Sequence, residues 1–299
     1  LRRGTTRKLR SRYETAYPHQ CWQLDGKGPF PVTIAGVSRR VHVLSVIDDY
    51  SRYLLASVVV VSRGEDTAAA VRVLRLALDT YGLPERMQFD RGSAFDALDF
   101  RRGLALLGIH RNWVTARAAE AQGKIEAYHR VLTRWFVSEL RHQEVLSVDH
   151  LEDLLHATLD LLYHRHRHRQ LKMTPTQALQ GRLSPRRVST DDLHRAFWGS
   201  VKAKSHPKTG EVHLPNGAFR VPARYAGHRL TFRFDHAVPE RAVLLLRTGD
   251  ELALEPFVVK RAFATPPAAP PRGAGQLQKL LDRWRGHERP NAFPGFGLP

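Results

Sequence analysis

Residues 32–62 read "VTIAGVSRRVHVLSVIDDYSRYLLASVVVVS". Val, Ile and Leu crowd into three runs, separated by "AGVSRR" and "DDYSR". β-Branched side chains favour extended backbone, where the forked Cβ packs on a pleated surface instead of crowding a helical turn. Three such runs with short breaks read as an antiparallel meander. Just before them, "CWQLDGKG" sets Trp22 and Leu24 on one side of a short strand, and Gln23 and Asp25 on the other.

After the meander the apolar period changes from 2 to 3.6. "EDTAAAVRVLRLALDTYG" is acidic at its start, apolar at helical spacing, and stopped by Gly82 and Pro84. "RMQFD" is a short strand ending at Asp90, "AFDALDFRRGLALLG" a helix and "IHRNWV" a strand. "AEAQGKIEAYHRVL" opens a helix expected to run to about Leu140. "SVDHLEDLLHATLDLLYHRHRHR" is one more helix, capped by Ser147, with Asp149 and Glu152 in or near its first turn. The order β-β-β-α-β-α-β-α-α predicts an α/β fold: a mixed five-stranded sheet flanked by helices.

Past "TPTQALQG" the pattern is short strands and turns. "EVHLPNGAFRVP" is a hairpin around Asn216–Gly217, and the segment reads as a small β-barrel with Trp198, Phe219 and Phe232 in its core. "TPPAAPPRGAG" is a Pro/Ala linker. In "QLQKLLDRW", Leu277, Leu280, Leu281 and Trp284 fall at i, i+3, i+4 and i+7, a stripe that suits either docking in a partner's groove or folding back on the chain's own barrel, with Phe293 and Phe296 beyond.

Charge narrows the partners. Lys+Arg number 47 against 29 Asp+Glu, a formal net charge of +18 spread along the whole length, which points to a polyanion and first to nucleic acid. Cys21 is the only cysteine, so there is neither a disulfide framework nor a zinc ribbon. No apolar run is long enough for a membrane span, and no signal peptide or Walker motif is visible. The chain opens on Leu1 in a basic stretch and is read as a piece lacking an N-terminal part.

Against this basic background three carboxylates stand at element edges: Asp25, Asp90 and Glu126. Asp25 and Asp90 have 64 residues between them, Asp90 and Glu126 have 35. Carboxylates are the ligands Mg²⁺ and Mn²⁺ prefer, and three converging without a cation would repel one another. On a helical projection Ile125, Tyr128, Leu132, Trp135 and Phe136 form an apolar stripe, with Arg130, Arg134 and Arg141 opposite and Glu126 at the border. Gly123 is expected to allow a close backbone approach. Asp48 and Asp49 read as turn and scaffold, and Glu120 has the wrong spacing. His164, His166 and His168 alternate with arginines, which repel a cation, and such alternation does not put three helical side chains on one face. That run reads as DNA-backbone contact.

"WQLD", "VIDDYSR", "FDRGSAF", "QGKIEAYHR" and "HRHRQLKMTPTQAL" together resemble the catalytic core shared by retroviral integrases and bacterial DDE transposases, over about Tyr17–Gly181. The resemblance implies an RNase H-like fold and a metal-binding catalytic triad of Asp25, Asp90 and Glu126 holding two Mg²⁺ or Mn²⁺ ions. It departs from the family where Arg91 stands in place of the usual Asn and Ala127 in place of the common Arg. The β-rich segment is similar in placement to the small barrel of Mu-type transposases. The expected organisation is a basic N-terminal linker (1–16), the catalytic core (17–181), a linker (182–200), a small β-barrel (201–264), and a flexible Pro/Ala linker and partner-binding tail (265–299). Lys124, Arg130, Arg134, Arg141, Arg165 and Arg167 are expected to bind DNA. The expected activity is metal-dependent cleavage of DNA 3′ ends and strand transfer, by a homo-oligomer on DNA in the bacterial cytoplasm, with an AAA+ ATPase partner at the tail. The rival readings are an RNase H-like nuclease that only hydrolyses and a domesticated DNA-binding protein.

Overall fold

A computed structural model of the chain describes residues 15–61, 67–89, 97–113, 119–180, 185–257 and 275–286. Five strands form the central sheet: β1 (Cys21–Ile34), β2 (Val37–Asp48), β3 (Leu54–Val60), β4 (Arg86–Phe89) and β5 (His110–Trp113), in the order β3-β2-β1-β4-β5. β1, β2 and β3 are antiparallel neighbours, while β4 runs parallel to β1 and β5 parallel to β4. This is the mixed five-stranded sheet that the element order predicts.

The meander differs from expectation in one respect. "CWQLDGKG" and "VTI" belong to one strand, and "VSRR" opens β2 instead of forming a break. Only Ala35 and Gly36 turn, both at positive φ (48° and 77°), the pattern of a tight hairpin whose twist matches its strands. The register shifts between Lys27 and Phe30, and a Cβ on Gly28 would stand 2.8 Å from the Val41 carbonyl oxygen, so no side chain fits there.

Both faces of the sheet are covered, which is why β3 is buried along its whole length. On one face Trp22, Leu24, Leu55 and Val58 pack with α1 (Thr67–Tyr81) and α2 (Leu98–Leu106). On the other, Val41, Val43, Ile47 and Val59 pack with α3 (Ala119–Leu132) and α4 (Val148–Thr158). Ser147 caps α4, accepting from the His150 N–H at 3.0 Å. Neither long helix is α-helical to its expected end. α3 passes at Leu132 into a π-helical turn (Thr133–Val137) and then a 3₁₀ turn (Glu139–His142). α4 passes into a π-helical turn (Leu159–Tyr163), so His166 and His168 lie beyond the helix and their alternation is not helical.

After α5 (Pro175–Leu179) and α6 (Thr190–Ala196) come seven short strands: β6 (Gly199–Lys204), β7 (Glu211–Leu214), β8 (Gly217–Arg220), β9 (Arg229–Phe234), β10 (Ala242–Leu245), β11 (Glu251–Ala253) and β12 (Glu255–Pro256). They form a four-stranded and a three-stranded sheet around Val212, Phe219, Phe232 and Leu244. Trp198 is not part of that cluster; the Arg195 and Arg233 guanidiniums lie over its ring at 5.3 and 5.7 Å. This β-rich unit docks on the α1–α2 side, where buried Arg75 of α1 pairs with buried Asp235. Gly103 of α2 lies against Phe197 so closely that a Cβ would fall 2.4 Å from the ring.

The last helix, α7 (Gln276–Gly286), folds back on the chain. Leu277, Leu281 and Trp284 are buried in the same cluster as α3 and α4. Trp284 Nε1 donates to Asp160 Oδ2 at 2.9 Å, and Arg285 pairs with Asp153 at 2.7 Å. The apolar stripe that suggested a groove-docking ligand is satisfied within the chain; Phe293 and Phe296 lie outside the described residues. Among the described residues no helix is long and apolar enough to cross a membrane.

Candidate active site

Asp25 is the fifth of the fourteen residues of β1, the central strand, opposite Ser45 of β2. Its side chain is about a quarter exposed, and Oδ1 accepts the Gly26 N–H at 2.8 Å. On the other side of β1, Leu24 is in register with Phe89, the last residue of β4. Asp90 lies outside the described residues.

α3 is fastened across this part of the sheet at three points. Near its start Lys124 forms an ion pair with Asp49, just past β2. One turn on, the Tyr128 hydroxyl lies 3.1 Å from Ser45 Oγ, which accepts from Ser57 Oγ at 2.9 Å. Next to it His129 Nδ1 lies 3.8 Å from Asp25 Oδ2. Ile125, Tyr128, Leu132 and Phe136 of the apolar stripe are fully buried. Glu126 is exposed, and three residues before His129 it shares the helix face that meets Asp25. Among the described residues nothing lies within 4 Å of a Cβ at Gly123, so the space beside it is open.

Burial, and after it the charge of Lys27, lowers the His129 pKa to about 4. The ring is therefore neutral near pH 7, and its contact with Asp25 does not cancel the carboxylate's charge. Among the described residues His129 Nε2 is buried without a hydrogen-bond partner.

Asp48 and Asp49 are scaffold, as their place in a turn suggested. Both are fully buried. Asp48 accepts from the His19 N–H at 2.7 Å, the Ser51 N–H at 2.8 Å and the Ser51 hydroxyl at 2.7 Å. Asp49 accepts from Thr15 Oγ1 at 2.8 Å and Gln23 Nε2 at 2.6 Å as well as from Lys124. Lys124, expected on the DNA surface, is thus turned inward, with 12% of its side chain exposed. Arg130, Arg134, Arg141, Arg165 and Arg167 are exposed. Arg130 and Arg134 line one cavity, and Arg134 and Arg165 a neighbouring one. Arg141 and Arg167 do not join them: Arg141 Nε donates to the Ser138 carbonyl at 3.4 Å and Arg167 Nε to the Lys172 carbonyl at 2.9 Å.

Among the described residues no three acidic, His or Cys side chains converge on one point. Asp25 and Glu126 carry the hard oxygen donors that Mg²⁺ and Mn²⁺ take, so the donor chemistry of the described pair fits such an ion.

Residues 16–118, about a third of the chain, match the family model of the integrase core domain. Among solved structures the chain is similar to a chain of the simian T-cell lymphotropic virus intasome in complex with PP2A regulatory subunit B56 gamma. That match has 15% identity and a TM-score of 0.45, over 83% of this chain and 82% of that one. It is also similar to the HTLV-2 integrase catalytic core domain in complex with magnesium, with 18% identity and a TM-score of 0.41, over 55% of this chain and 99% of that one. The match places residues 16–118 among segments similar to an integrase core domain, and these residues supply all five strands of the central sheet.

Proposed function

We propose that the chain is a DNA transposase or integrase that cleaves DNA 3′ ends and joins them to target DNA, with Asp25, Asp90 and Glu126 as its catalytic acids. The observation that supports this most is the contact of His129 with Asp25, because it turns the face of α3 that carries Glu126 toward the central strand. Two Mg²⁺ or Mn²⁺ ions held by these acids would supply Lewis acidity to the attacking and leaving oxygens of a phosphodiester. The chain's own residues position the parts. Lys124 and Asp49 fix the start of α3, His129 faces Asp25, and Arg130, Arg134 and Arg165 offer guanidiniums to phosphates. In cleavage, water attacks phosphorus and the 3′-oxygen of the element end leaves as a hydroxyl. In joining, that hydroxyl attacks a target phosphodiester and displaces a target 3′-oxygen. Each step exchanges one P–O bond for another, so geometry and charge carry the catalysis. The active form is a homo-oligomer on DNA, acting in the bacterial cytoplasm.

A supercoiled plasmid and a labelled oligonucleotide with a free 3′-hydroxyl test the proposal, with Mg²⁺ or Mn²⁺ present. The wild type should nick the plasmid and join the oligonucleotide to it. Asp25→Asn, Asp90→Asn and Glu126→Gln should each lose at least about 10²-fold in both steps, the scale on which removing one preorganised electrostatic group acts. Near-normal joining by a folded Glu126→Gln would refute the triad. Nicking without joining would assign the chain to the purely hydrolytic nucleases.

A further inference from the structure

One turn beyond Glu126, a cavity of about 330 Å³ opens beside α3. Arg130 and Arg134 form one side, and the rings of Trp135, Tyr163, His166 and His168 form much of the rest. Trp135 belongs to the π-helical turn after α3, and Tyr163 ends the π-helical turn after α4. Such turns re-aim the side chains that follow them and recur at functional sites. The Trp135 and His166 rings meet edge to face, with centroids 5.2 Å apart at 82°. Trp135 is half-buried and His166 exposed, so the ring surface reaches solvent. Arg165 extends the cationic surface on the far side of Trp135.

Flat rings and guanidiniums lining one cavity match a particular ligand chemistry. Guanidiniums take phosphates, and stacked aromatic or imidazole rings take the faces of unpaired bases. The volume lies at the small end of ligand pockets, the size of one ring system and not of a duplex. We propose that this cavity holds one unpaired nucleobase of bound DNA, next to the phosphodiester presented to Glu126. This gives the "HRHRHR" run its place: His166 and His168 line the base pocket, while His164 is buried in the core. The inference rests on the reading of DNA as substrate, but not on catalysis.

The test uses the full chain in metal-free buffer, so that no chemistry intervenes. Fluorescence anisotropy compares duplexes of equal length and charge, bearing a three-nucleotide 3′ overhang made either of ordinary nucleotides or of abasic ones. Stacking of a single base should make the base-bearing overhang bind about tenfold tighter. Trp135→Phe should keep most of that preference, and Trp135→Ala should reduce it to within about twofold. Equal binding of the two overhangs by the wild type would overturn the proposal, whatever the variants do. So would a retained preference in Trp135→Ala with a native melting profile. A 5-iodouracil overhang should cross-link to the segment holding Trp135 or His166; cross-links only elsewhere would likewise overturn the proposal. If Trp135→Ala instead dissolves a dimer and leaves the overhang preference intact, the face belongs to a second copy of the chain and the proposal fails. A chain that discriminates bases but never joins DNA keeps this inference and loses the transferase reading; one that joins DNA without discriminating does the reverse.

Discussion

Lys124, two residues before Glu126, forms a buried ion pair with Asp49, just past the end of β2. Asp49 has no exposed surface, so removing its cation leaves an uncompensated charge in the interior. Breaking such a pair costs about 3–5 kcal/mol, whereas the net worth of the pair against apolar residues is small. The pair therefore matters for where it holds α3. Lys124→Met should lower the melting temperature, and it should slow joining more than it weakens DNA binding, since the exposed arginines remain. Melting curves and joining rates at saturating DNA check this; an unchanged melting temperature would show that the pair does not fasten the helix.

Trp284 makes a comparable claim for α7. Its ring is buried against the core and its Nε1 bonds to Asp160. Truncating such a residue costs about 3–5 kcal/mol. Trp284→Ala should lower the melting temperature of the sheet domain itself, followed by a probe in that domain such as hydrogen exchange of β3. If α7 were only a ligand for another protein, core protection would stay the same.

These two contacts mark the border of what the sequence reveals. The five-stranded order was legible because alternation and helical periodicity are local signals, and "SVDHLEDLL" carried its own cap. Ile125, Tyr128 and Leu132 were legible as a buried stripe for the same reason. The Lys124–Asp49 pair was not, because its partners lie 75 residues apart and a lysine in a basic chain looks like a DNA contact. The π-helical turns also escaped: each adds a residue to a turn without any Gly or Pro to announce it. They shift the residues after them off the straight-helix projection that had put Arg141 beside Arg130 and Arg134. α7 showed a docking stripe, but an amphipathic pattern says only that a face will be covered, not by what.

Acid should weaken the fold through its buried neutral histidines. Burial lowers the His19 pKa to about 4 from its ordinary 6.5. Burial lowers that of His164 too, against the opposing pull of Asp160. A depressed histidine contributes stability that is present above about pH 6.5 and is lost as pH falls toward its folded value. At His164 a specific hydrogen bond is at stake, since a protonated ring cannot accept the Leu54 N–H that Nε2 now accepts at 3.2 Å. Asp48, raised to about 6 by burial despite three hydrogen bonds, has the opposite sign: its contribution is lost as pH rises through about 6. The clean measurement is therefore a difference. His19→Asn suits the backbone, because φ there is 65° and Asn tolerates the left-handed region. Between pH 7 and pH 5 the melting temperature of this variant should gain on the wild type by about 2 °C or more. A constant gap would mean that His19 is not held neutral by burial.

The arginines brought together at the cavities should dominate the electrolyte dependence of DNA binding. Arg130, Arg134 and Arg165 are exposed around Trp135, whereas Arg141 and Arg167 are tied to backbone carbonyls. Each phosphate contact releases counterions and adds about 0.9 to the slope of log K against log salt. Replacing Arg130, Arg134 and Arg165 with Ala should lower that slope by about 2.7 on arbitrary duplex DNA, with affinity falling alike across sequences. Arg141→Ala with Arg167→Ala should move it by less than about 1, because those guanidiniums must first leave their carbonyls. Titrations at four salt concentrations separate the two sets. Equal slopes for the two variants would place the DNA elsewhere on the molecule, away from the face of α3 that presents Glu126.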